Sequence, residues 1–275
     1  MSSRSKQSSL QPDLALSPER VDLWFVFANE AFAATELTDR YRTLLTAQER
    51  QQEQRFYFAK DRHRYLLTRA LVRTVLSRYV PISARDWRFE PSAYGRPIIV
   101  NEDELVRGLS FNISHTDGLI VLAVTCAGLI GVDTEPASRE ISLSIADRYF
   151  SPKEVAAVKA LPAGLQPRRL VDLWTLKESY IKARGMGLSI PLHKFSFNLD
   201  DNQASVISFD EDFQDVPPGW RFYQLSPSDD YAVALCVQRL TGKPPALMSR
   251  RILPLISEQP LACPIRELGP PAAGT

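Results

Sequence analysis

The sequence predicts an α+β fold made of two pseudo-symmetric lobes, each an antiparallel sheet packed with helices, with the active site in the cleft between them. The first observation is a repeat: the order of helical and extended patterns in the first half recurs in the second, at a spacing of roughly 110 residues. The second is the type of unit that repeats, in which helices and strands together favour antiparallel sheets covered by helices. We interpret the repeat as an internal duplication; chance similarity of element order is the competing explanation.

The 275 residues divide into a disordered tail (1–18), an N-terminal lobe (19–130), a C-terminal lobe (131–240) and a proline-rich tail (241–275). The first tail is rich in Ser and Gln, a composition typical of disorder. The last segment has no clear periodicity, which favours a loose tail, although its apolar stretch Ile252-Leu253-Pro254-Leu255-Ile256 is able to dock on the body.

The first lobe begins with a strand from Val21 to Phe27. Thr46-Ala47-Gln48-Glu49 has the pattern of a capping box and predicts the start of a helix. Apolar residues at helical spacing predict a longer helix from about Lys60 to Tyr79. Two strands follow, at Phe111–Ser114 and Leu119–Val124.

The second lobe repeats this order. Ser151-Pro152-Lys153-Glu154 is again a capping box, here with proline at the first helical position. A helix is predicted from about Arg169 to Arg184, and strands at Lys194–Leu199 and Tyr231–Val237.

Composition excludes several classes of function. A net charge of +1, from 33 basic and 32 acidic residues, gives no global basic field that would favour nucleic acid. Cys126, Cys236 and Cys263 form neither a disulfide framework nor a metal-binding spacing, and the first two are expected to be small buried apolar residues. The longest apolar run, Leu119 to Val132, is too short to span a bilayer. We expect a soluble cytoplasmic protein that binds neither membrane nor nucleic acid.

Three carboxylates and a lysine carry the strongest chemical signal. Asp133 and Glu135 are two apart in an extended segment and share a face, and Glu178 and Lys182 are four apart on one face of a helix. If the two segments meet, three oxygen ligands converge beside an ammonium, as suits Mg²⁺ and a phosphate-bearing substrate. Taken separately, the alternatives are a surface salt bridge on the helix and a solvated strand end.

A second group of polar residues indicates phosphate recognition. Ser114 and His115 lie at a strand end before Gly118, where they offer a hydroxyl and an imidazole. Arg96 follows Gly95 in a predicted turn, and its guanidinium suits phosphate.

Together these motifs resemble the Sfp-type 4′-phosphopantetheinyl transferases. The residues that carry the resemblance are Tyr94-Gly95-Arg96-Pro97, Phe111-Asn112-Ile113-Ser114-His115, Gly131-Val132-Asp133-Thr134-Glu135 and Trp174-Thr175-Leu176-Lys177-Glu178-Ser179-Tyr180-Ile181-Lys182-Ala183-Arg184-Gly185-Met186-Gly187. The resemblance implies two pseudo-symmetric lobes in one chain. It also implies transfer of the phosphopantetheine arm of coenzyme A to a serine of an apo acyl or peptidyl carrier protein, with release of 3′,5′-ADP.

The resemblance also implies roles for individual residues. The Mg²⁺ ligands would be Asp133, Glu135 and Glu178, and the coenzyme A contacts would be Arg96, Asn112, Ser114, His115 and Lys182. Glu178, or a water that it orients, would accept the proton of the carrier serine. Lys182 would stabilise the pyrophosphate and protonate the leaving 3′,5′-ADP.

This chain departs from some relatives where they place lysines for the 3′-phosphate of coenzyme A. Glu49 and Gln52 occupy those positions here. Lys60 and Arg64 are nearby basic candidates for that contact, and a solvated helix face is the alternative interpretation.

Two other functions remain open from the residues: a Mg²⁺-dependent nucleotide pyrophosphohydrolase and a non-catalytic carrier-binding module. For the transferase, the carrier would come from fatty acid, polyketide or nonribosomal peptide synthesis and would be acidic around its serine. The predicted docking surface is the cleft rim from Gly185 to Leu192, with packing under the helix as the other interpretation. Because one chain supplies both lobes, we expect a monomer.

Overall fold

The computed structural model describes residues 13–15, 17–28, 35–199, 206–213, 215, 219–238 and 243–268. In these residues the helices are α1 (Thr35–Arg42), α2 (Ala47–Arg55), α3 (Ala59–Leu76), α4 (Leu143–Tyr149), α5 (Pro152–Lys159) and α6 (Gln166–Arg184). The strands are β1 (Arg20–Phe27), β2 (Phe89–Pro91), β3 (Pro97–Ile99), β4 (Ser110–Thr116), β5 (Leu119–Thr125), β6 (Ile130–Pro136), β7 (Phe195–Phe197), β8 (Ile207–Phe209), β9 (Trp220–Leu225), β10 (Tyr231–Gln238), β11 (Ala246–Leu253), β12 (Ser257–Pro260) and β13 (Ile265–Leu268). The predicted α+β class is confirmed.

Three strands of each main sheet follow the same order, β1-β5-β4 in the first and β6-β10-β9 in the second. The first runs β12-β11-β1-β5-β4 and the second runs β13-β9-β10-β6. In chain order, β1 is followed by α3 and the hairpin β4–β5, and β6 is followed by α6 and the hairpin β9–β10. In each set the first strand pairs antiparallel with the last. This shared order is the one that an internal duplication predicts.

Successive apolar side chains of the central strands point to opposite faces of the sheet, so each of these strands contributes to two hydrophobic cores. Trp24 and Leu122 pack on the side of the first sheet that α3 covers, whereas Leu23 and Val121 pack against the second sheet. On the second sheet, Cys236 faces α6 in the same way. The layers are therefore helix, sheet, sheet and helix, and burial on both faces explains the nearly continuous apolar runs of β1, β5 and β10.

The local helix signals are confirmed. Thr46 and Ser151 both close a capping box with the glutamate three residues later. Helix α3 ends at Leu76, a little before the predicted end, and α6 begins three residues before the predicted start. Gly185 ends α6 in the left-handed conformation, with a φ of 67°, which a residue without a Cβ adopts readily.

The C-terminal segment corrects two expectations. Its described part is not a loose tail, because β11 lies beside β1 and β13 lies beside β9. The β1–β11 pair is also parallel, an exception to the predicted antiparallel sheets. The sequence of β11 hides this strand because two arginines interrupt its apolar pattern. One of them, Arg250, is accommodated by an ion pair with Asp22 at 2.6 Å and by the ring of Trp24.

Other expectations were met only in part. The strand predicted over 194–199 is confined to β7, which pairs with β8. Cys236 is buried as expected, but Cys126 is only half-buried, and no disulfide involves the cysteines. Of the predicted disordered tail, residues 1–12 and 16 lie outside the described residues, while the backbone amides of Asp13 and Leu14 donate to the carbonyl of Arg78. Within the described residues no helix has the length and apolarity needed to cross a bilayer.

Candidate active site

Strand β6 and helix α6 approach each other closely at Gly131. A Cβ atom on this residue would lie 2.0 Å from the carbonyl oxygen of Ser179 and 2.3 Å from the amide nitrogen of Ala183. Only glycine permits this contact between strand and helix backbones. Because Asp133 follows two residues later and Lys182 precedes Ala183, the contact brings their side chains together.

The Lys182 ammonium lies at the meeting point of three elements. It donates to Oδ1 of Asp133 at 2.6 Å and to Oγ of Ser114 at 2.8 Å. The Ser114 hydroxyl itself donates to the same Asp133 oxygen at 3.0 Å. The structure thus joins β4, β6 and α6 through polar side chains, and the carboxylate partner of Lys182 is Asp133 rather than Glu178 on its own helix.

The two other carboxylates lie near Asp133. Burial raises the pKa of Glu178 to about 7, and the negative charge of Asp133 adds to this shift. Burial and the same neighbouring charge raise the pKa of Glu135 above its usual range, although Arg139 forms an ion pair with it. The carboxylates therefore repel one another in a partly desolvated region.

This region has the donor chemistry for a hard divalent cation. Oδ2 of Asp133 is buried and has no hydrogen-bond partner, which is costly for a carboxylate oxygen. Among the described residues, no group of three or more acidic, histidine or cysteine side chains is arranged so that it could hold a metal ion. Lys182 and Arg139 neutralise Asp133 and Glu135 in this arrangement. The carboxylate oxygens fit Mg²⁺, which prefers oxygen ligands. To bind them, the ion would compete with the side chains of Lys182 and Arg139.

A pocket of about 330 Å³ opens beside the Lys182 contact, between α3 and β4. Its volume lies in the range of small-molecule sites. Its polar lining consists of Asp61, Arg64, Tyr65, Thr68, Arg69, Ser114, His115 and Lys182. Burial, and then the positive charge of Arg64, lowers the pKa of His115, which favours a neutral imidazole. The pocket therefore carries more cationic than acidic side chains, as suits a phosphorylated ligand.

Of the two basic candidates on α3, only Arg64 lines this pocket. Its guanidinium contacts Asp61 at 2.7 Å. Lys60 is exposed in the first turn of the helix and is not part of the lining.

Arg96 connects secondary-structure elements. Its guanidinium donates to the carbonyls of Lys182 at 3.0 Å, Ala183 at 3.2 Å and Phe111 at 2.8 Å. The last carbonyls of a helix lack partners within the helix, so Arg96 satisfies two of them at the end of α6. Burial lowers the pKa of this guanidinium. Arg96 thereby fixes α6, and with it Lys182, relative to β4.

Asn112 joins the two sheets in a similar way. Its side-chain oxygen accepts from the backbone amide of Val132 at 2.9 Å, and the residue is buried. This bond sets β4 beside β6 one residue before Asp133, so Asn112 positions the strand ends that carry Ser114 and Asp133.

Glu49 has a structural role, because it caps helix α2 and pairs with a buried arginine. One of its oxygens accepts from the amide of Thr46 at 2.9 Å and from the buried guanidinium of Arg73 at 2.7 Å. Its other oxygen lies 3.7 Å from Arg69. Gln52 is exposed on α2.

Sequence reasoning missed Thr68 and Arg69 as pocket residues. Both lie on the face of α3 that also carries Arg64, so helical spacing from Arg64 was the signal that could have found them. It also missed Lys177, which follows Leu176 on α6 but is fully buried next to Glu154. The position of Lys177 in the Trp174–Gly187 motif, directly before Glu178, did not indicate that its side chain pairs with Glu154 in the core.

The predicted docking rim is packed inward only in part. Ile190 and Leu192 are buried in the second core, and Met186 packs against it. Ser189 is exposed. The alternative interpretation, in which the segment packs under the helix, therefore applies to Met186, Ile190 and Leu192.

Two models of known protein families match this chain and agree with the resemblance. The family model described as "4'-phosphopantetheinyl transferase superfamily" matches residues 129–236, and the model "4'-phosphopantetheinyl transferase, N-terminal" matches residues 35–127. A solved structure, the holo-[acyl-carrier-protein] synthase of Thermotoga maritima, aligns with a TM-score of 0.33 at 25% identity, over 40% of this chain and 62% of that one.

Two curated relatives from Bacillus subtilis are more similar. The 4′-phosphopantetheinyl transferase ffp is 35% identical over 204 residues, which cover 74% of this chain and 87% of that protein. The 4′-phosphopantetheinyl transferase Sfp is 34% identical over 201 residues, with 73% and 85% covered. Each match spans most of the relative. The chain therefore belongs to the Sfp-type 4′-phosphopantetheinyl transferases.

Proposed function

We propose that this enzyme transfers the 4′-phosphopantetheine arm of coenzyme A to a serine of an apo acyl or peptidyl carrier protein, in a Mg²⁺-dependent reaction that releases 3′,5′-ADP. The observation that carries the proposal is the contact among Asp133, Lys182 and Ser114. It connects an acidic region suited to a divalent cation with a cationic pocket suited to a nucleotide.

Asp133, Glu135 and Glu178 would hold the Mg²⁺ ion. When bound, the cation would neutralise negative charge on the pyrophosphate and on the leaving phosphate. The unpartnered Oδ2 of Asp133 and the raised pKa values of the other two carboxylates support this assignment, because a cation would relieve both costs.

The side chains divide the rest of the chemistry. The serine oxygen of the carrier attacks the β-phosphate of coenzyme A, and the bond from that phosphorus to the bridging oxygen breaks. Glu178, or a water that it orients, accepts the serine proton. Lys182 stabilises the charge that develops on the departing 3′,5′-ADP and donates a proton to it. Ser114 and neutral His115 bind phosphate oxygens on the pocket side.

Arg96 and Asn112 act on the same site by positioning. Arg96 holds the end of α6 against β4, and Asn112 holds β4 against β6. Both keep Lys182 near Asp133 and Ser114 before any substrate binds. Orientation of this kind lowers the barrier because little reorganisation is needed at the moment of reaction.

The nucleophile belongs to the carrier, so the chain itself needs none. We propose that the enzyme works as a monomer, since one chain supplies α3, β4, β6 and α6 around the site.

The experiment is incubation of the enzyme with coenzyme A, Mg²⁺ and apo carriers from fatty acid, polyketide and nonribosomal peptide synthesis, followed by intact-protein mass measurement. We expect at least one carrier to gain one phosphopantetheine arm, and EDTA or a carrier Ser-to-Ala variant to abolish the gain. If no carrier gains mass while coenzyme A is cleaved to 3′,5′-ADP, a pyrophosphohydrolase replaces the proposal.

A further inference from the structure

The two lobes contain the same ion pair between a capping-box glutamate and a cation of the long helix that follows. In the first lobe Glu49 pairs with Arg73 on α3, and in the second lobe Glu154 pairs with Lys177 on α6. Each cation also lies over the ring of the phenylalanine that opens the next hairpin, β2–β3 or β7–β8, at 5.5 Å and 4.3 Å respectively. The ion pair therefore gives a register in which α2 corresponds to α5, α3 to α6 and the first hairpin to the second.

In this register both long helices line a pocket at the same two positions, four and eight residues before the buried cation. In the first lobe these residues are Arg69 and Tyr65, in the pocket beside Lys182. In the second lobe they are Leu173 and Arg169, which line a pocket of about 420 Å³ between α5, α6 and the β7–β8 hairpin. The second pocket is larger than the first and has the size of a small-molecule site.

Two cationic side chains of the second pocket lack a partner. Lys153, in the first turn of α5, and Arg169 form no hydrogen bond or salt bridge with any described residue. Asp172, three residues after Arg169 on α6, pairs instead with Arg168 at 3.0 Å and attracts Arg169 without forming a salt bridge. Both cations are therefore available for charge-assisted hydrogen bonds to an anionic ligand.

Glu154 lines the same pocket, but its carboxylate is already neutralised. Its oxygens lie 2.9 Å from the Lys177 ammonium and accept from the amides of Ser151 and Phe197 at 2.8 Å. A carboxylate bonded in this way does not offset the two unpaired cations. The described lining of the second pocket therefore carries a net positive charge.

The remaining lining combines a hydroxyl group with apolar surface. Ser208 on β8 is exposed and presents its side chain at the pocket. The apolar part of the lining comes from Ala157, Leu173, Phe197 and Leu199. Two cations and a hydroxyl suit a phosphate group, which accepts several hydrogen bonds, and the apolar surface suits the organic body that carries it.

We propose that this second pocket binds a nucleoside monophosphate or a closely related nucleotide, with the phosphate on Lys153 and Arg169 and the nucleoside against the apolar surface. The site goes beyond the proposed function, which uses only the pocket beside Lys182. The choice of a nucleoside rests on that function, because the corresponding pocket of the first lobe is proposed to take the nucleotide end of coenzyme A. The enzyme thus has a nucleotide site apart from the residues that carry the reaction.

The test is a titration of ¹⁵N-labelled enzyme with AMP, followed by amide NMR, which reports each pocket separately. The amides of Asn198 and Ser208 report the second pocket, and those of Ser114 and His115 report the first. Parallel titrations use adenosine, which lacks the phosphate, and inorganic phosphate, which lacks the nucleoside. No carrier protein and no transfer are involved, so the result does not depend on whether the enzyme modifies a carrier.

The variants are Lys153→Gln, Arg169→Gln and Lys159→Gln. Lys159 is the matched control, because it lies on the same helix as Lys153 but pairs with Asp147 and does not line the pocket. Since neither Lys153 nor Arg169 has a partner to lose, their variants should fold as the parent enzyme does, and thermal unfolding verifies this.

We expect AMP to shift the amide signals of Asn198 and Ser208 saturably and to bind there at least about tenfold more tightly than adenosine or inorganic phosphate. Lys153→Gln and Arg169→Gln should each weaken AMP binding at these amides by about tenfold, as expected for loss of a charge-assisted hydrogen bond. The first pocket should titrate as in the parent enzyme, and Lys159→Gln should leave both pockets unchanged.

Three results would overturn the proposal: no saturable AMP shifts at the second pocket, unchanged AMP affinity in both folded variants, or binding of adenosine or inorganic phosphate there as tight as that of AMP. The two proposals fail separately. If no carrier is modified but AMP binds through Lys153 and Arg169, the proposed function is wrong and the second site stands. If carriers are modified but AMP does not bind there, the second site is wrong and the function stands.

Discussion

Lys177 and Glu154 form an ion pair in which both side chains are almost completely buried, at 0% and 1% exposure, with 2.9 Å between Nζ and Oε2. The ammonium also donates to the carbonyls of Leu192 at 2.7 Å and Phe195 at 2.6 Å. The carboxylate accepts from the amide of Phe197 at 2.8 Å. The pair therefore ties α5 and α6 to the start of β7 behind the active site.

Lys177→Met should destabilise the enzyme by about 3–5 kcal/mol, because it leaves the Glu154 carboxylate buried without its counter-ion. The matched control is Lys159→Met, which breaks an ion pair with Asp147 whose members are both more than half exposed and should cost less than about 1 kcal/mol. Urea unfolding measures both. Equal stability of the two variants would contradict the structural role of Lys177.

Gly131→Ala should destabilise the enzyme by about 1–3 kcal/mol or more, because its methyl group would overlap the backbone of α6 at Ser179 and Ala183. Gly164→Ala is the control, since a Cβ there meets no atom within 4 Å, and it should change stability by less than about 0.5 kcal/mol. Thermal unfolding distinguishes them. A Gly131→Ala protein as stable as the control would show that strand and helix separate without cost.

The Asp133–Lys182 pair should respond differently to loss of each partner. Lys182→Met leaves a buried carboxylate, whereas Asp133→Asn leaves an ammonium that is 28% exposed and can reach water. In EDTA, the lysine variant should therefore be less stable than the asparagine variant by about 1–3 kcal/mol. Both should lose carrier modification. A reversed order of stability by urea unfolding would exclude this account of the pair.

The stability of the enzyme should depend on pH through His115. Burial and Arg64 hold its pKa below the usual 6.5 in the folded protein, so the unfolded chain takes up a proton first as pH falls. The contribution of neutral His115 is therefore complete above about pH 6.5 and is lost progressively below it. His115→Gln should lose less stability than the parent between pH 7.5 and 5.5.

The raised pKa of Glu178 acts in the opposite direction, because its folded form takes up a proton before the unfolded chain does. The comparison remains informative since both proteins contain Glu178, and the difference between their unfolding curves isolates His115. Parallel curves over this pH range would refute the prediction.

Local signals in the sequence predicted the helices that begin with capping boxes, whereas the long-range pairing of strands was missed. The capping boxes at Thr46 and Ser151 depend on residues three positions apart, so a short window contains all their determinants. The pairing of β11 with β1 depends on segments from opposite ends of the chain. The contact that accommodates Arg250 in this strand is its ion pair with Asp22. In the sequence Arg250 looks like an ordinary charged residue, because Asp22 can be identified as its partner only when β11 is known to lie beside β1.

In the site, too, the local arrangement of residues was predictable and the contacts between distant segments were not. Same-face spacing of Asp133 with Glu135 follows from strand geometry alone, but the meeting of Asp133 with Lys182 depends on the close approach at Gly131. The carbonyl partners of Arg96 lie at a helix end whose position the sequence does not specify. Backbone acceptors of this kind leave no trace in residue types.

The parallel pairing of β1 with β11 has a consequence for the order of events during synthesis. Strand β1 leaves the ribosome long before its neighbour β11. The hairpin β4–β5 can cover one side of β1 earlier, but the other side keeps unpaired amides and carbonyls until β11 has emerged. The nascent protein therefore carries an open strand edge between the synthesis of β1 and that of β11, and completion of the first sheet waits for a segment made much later.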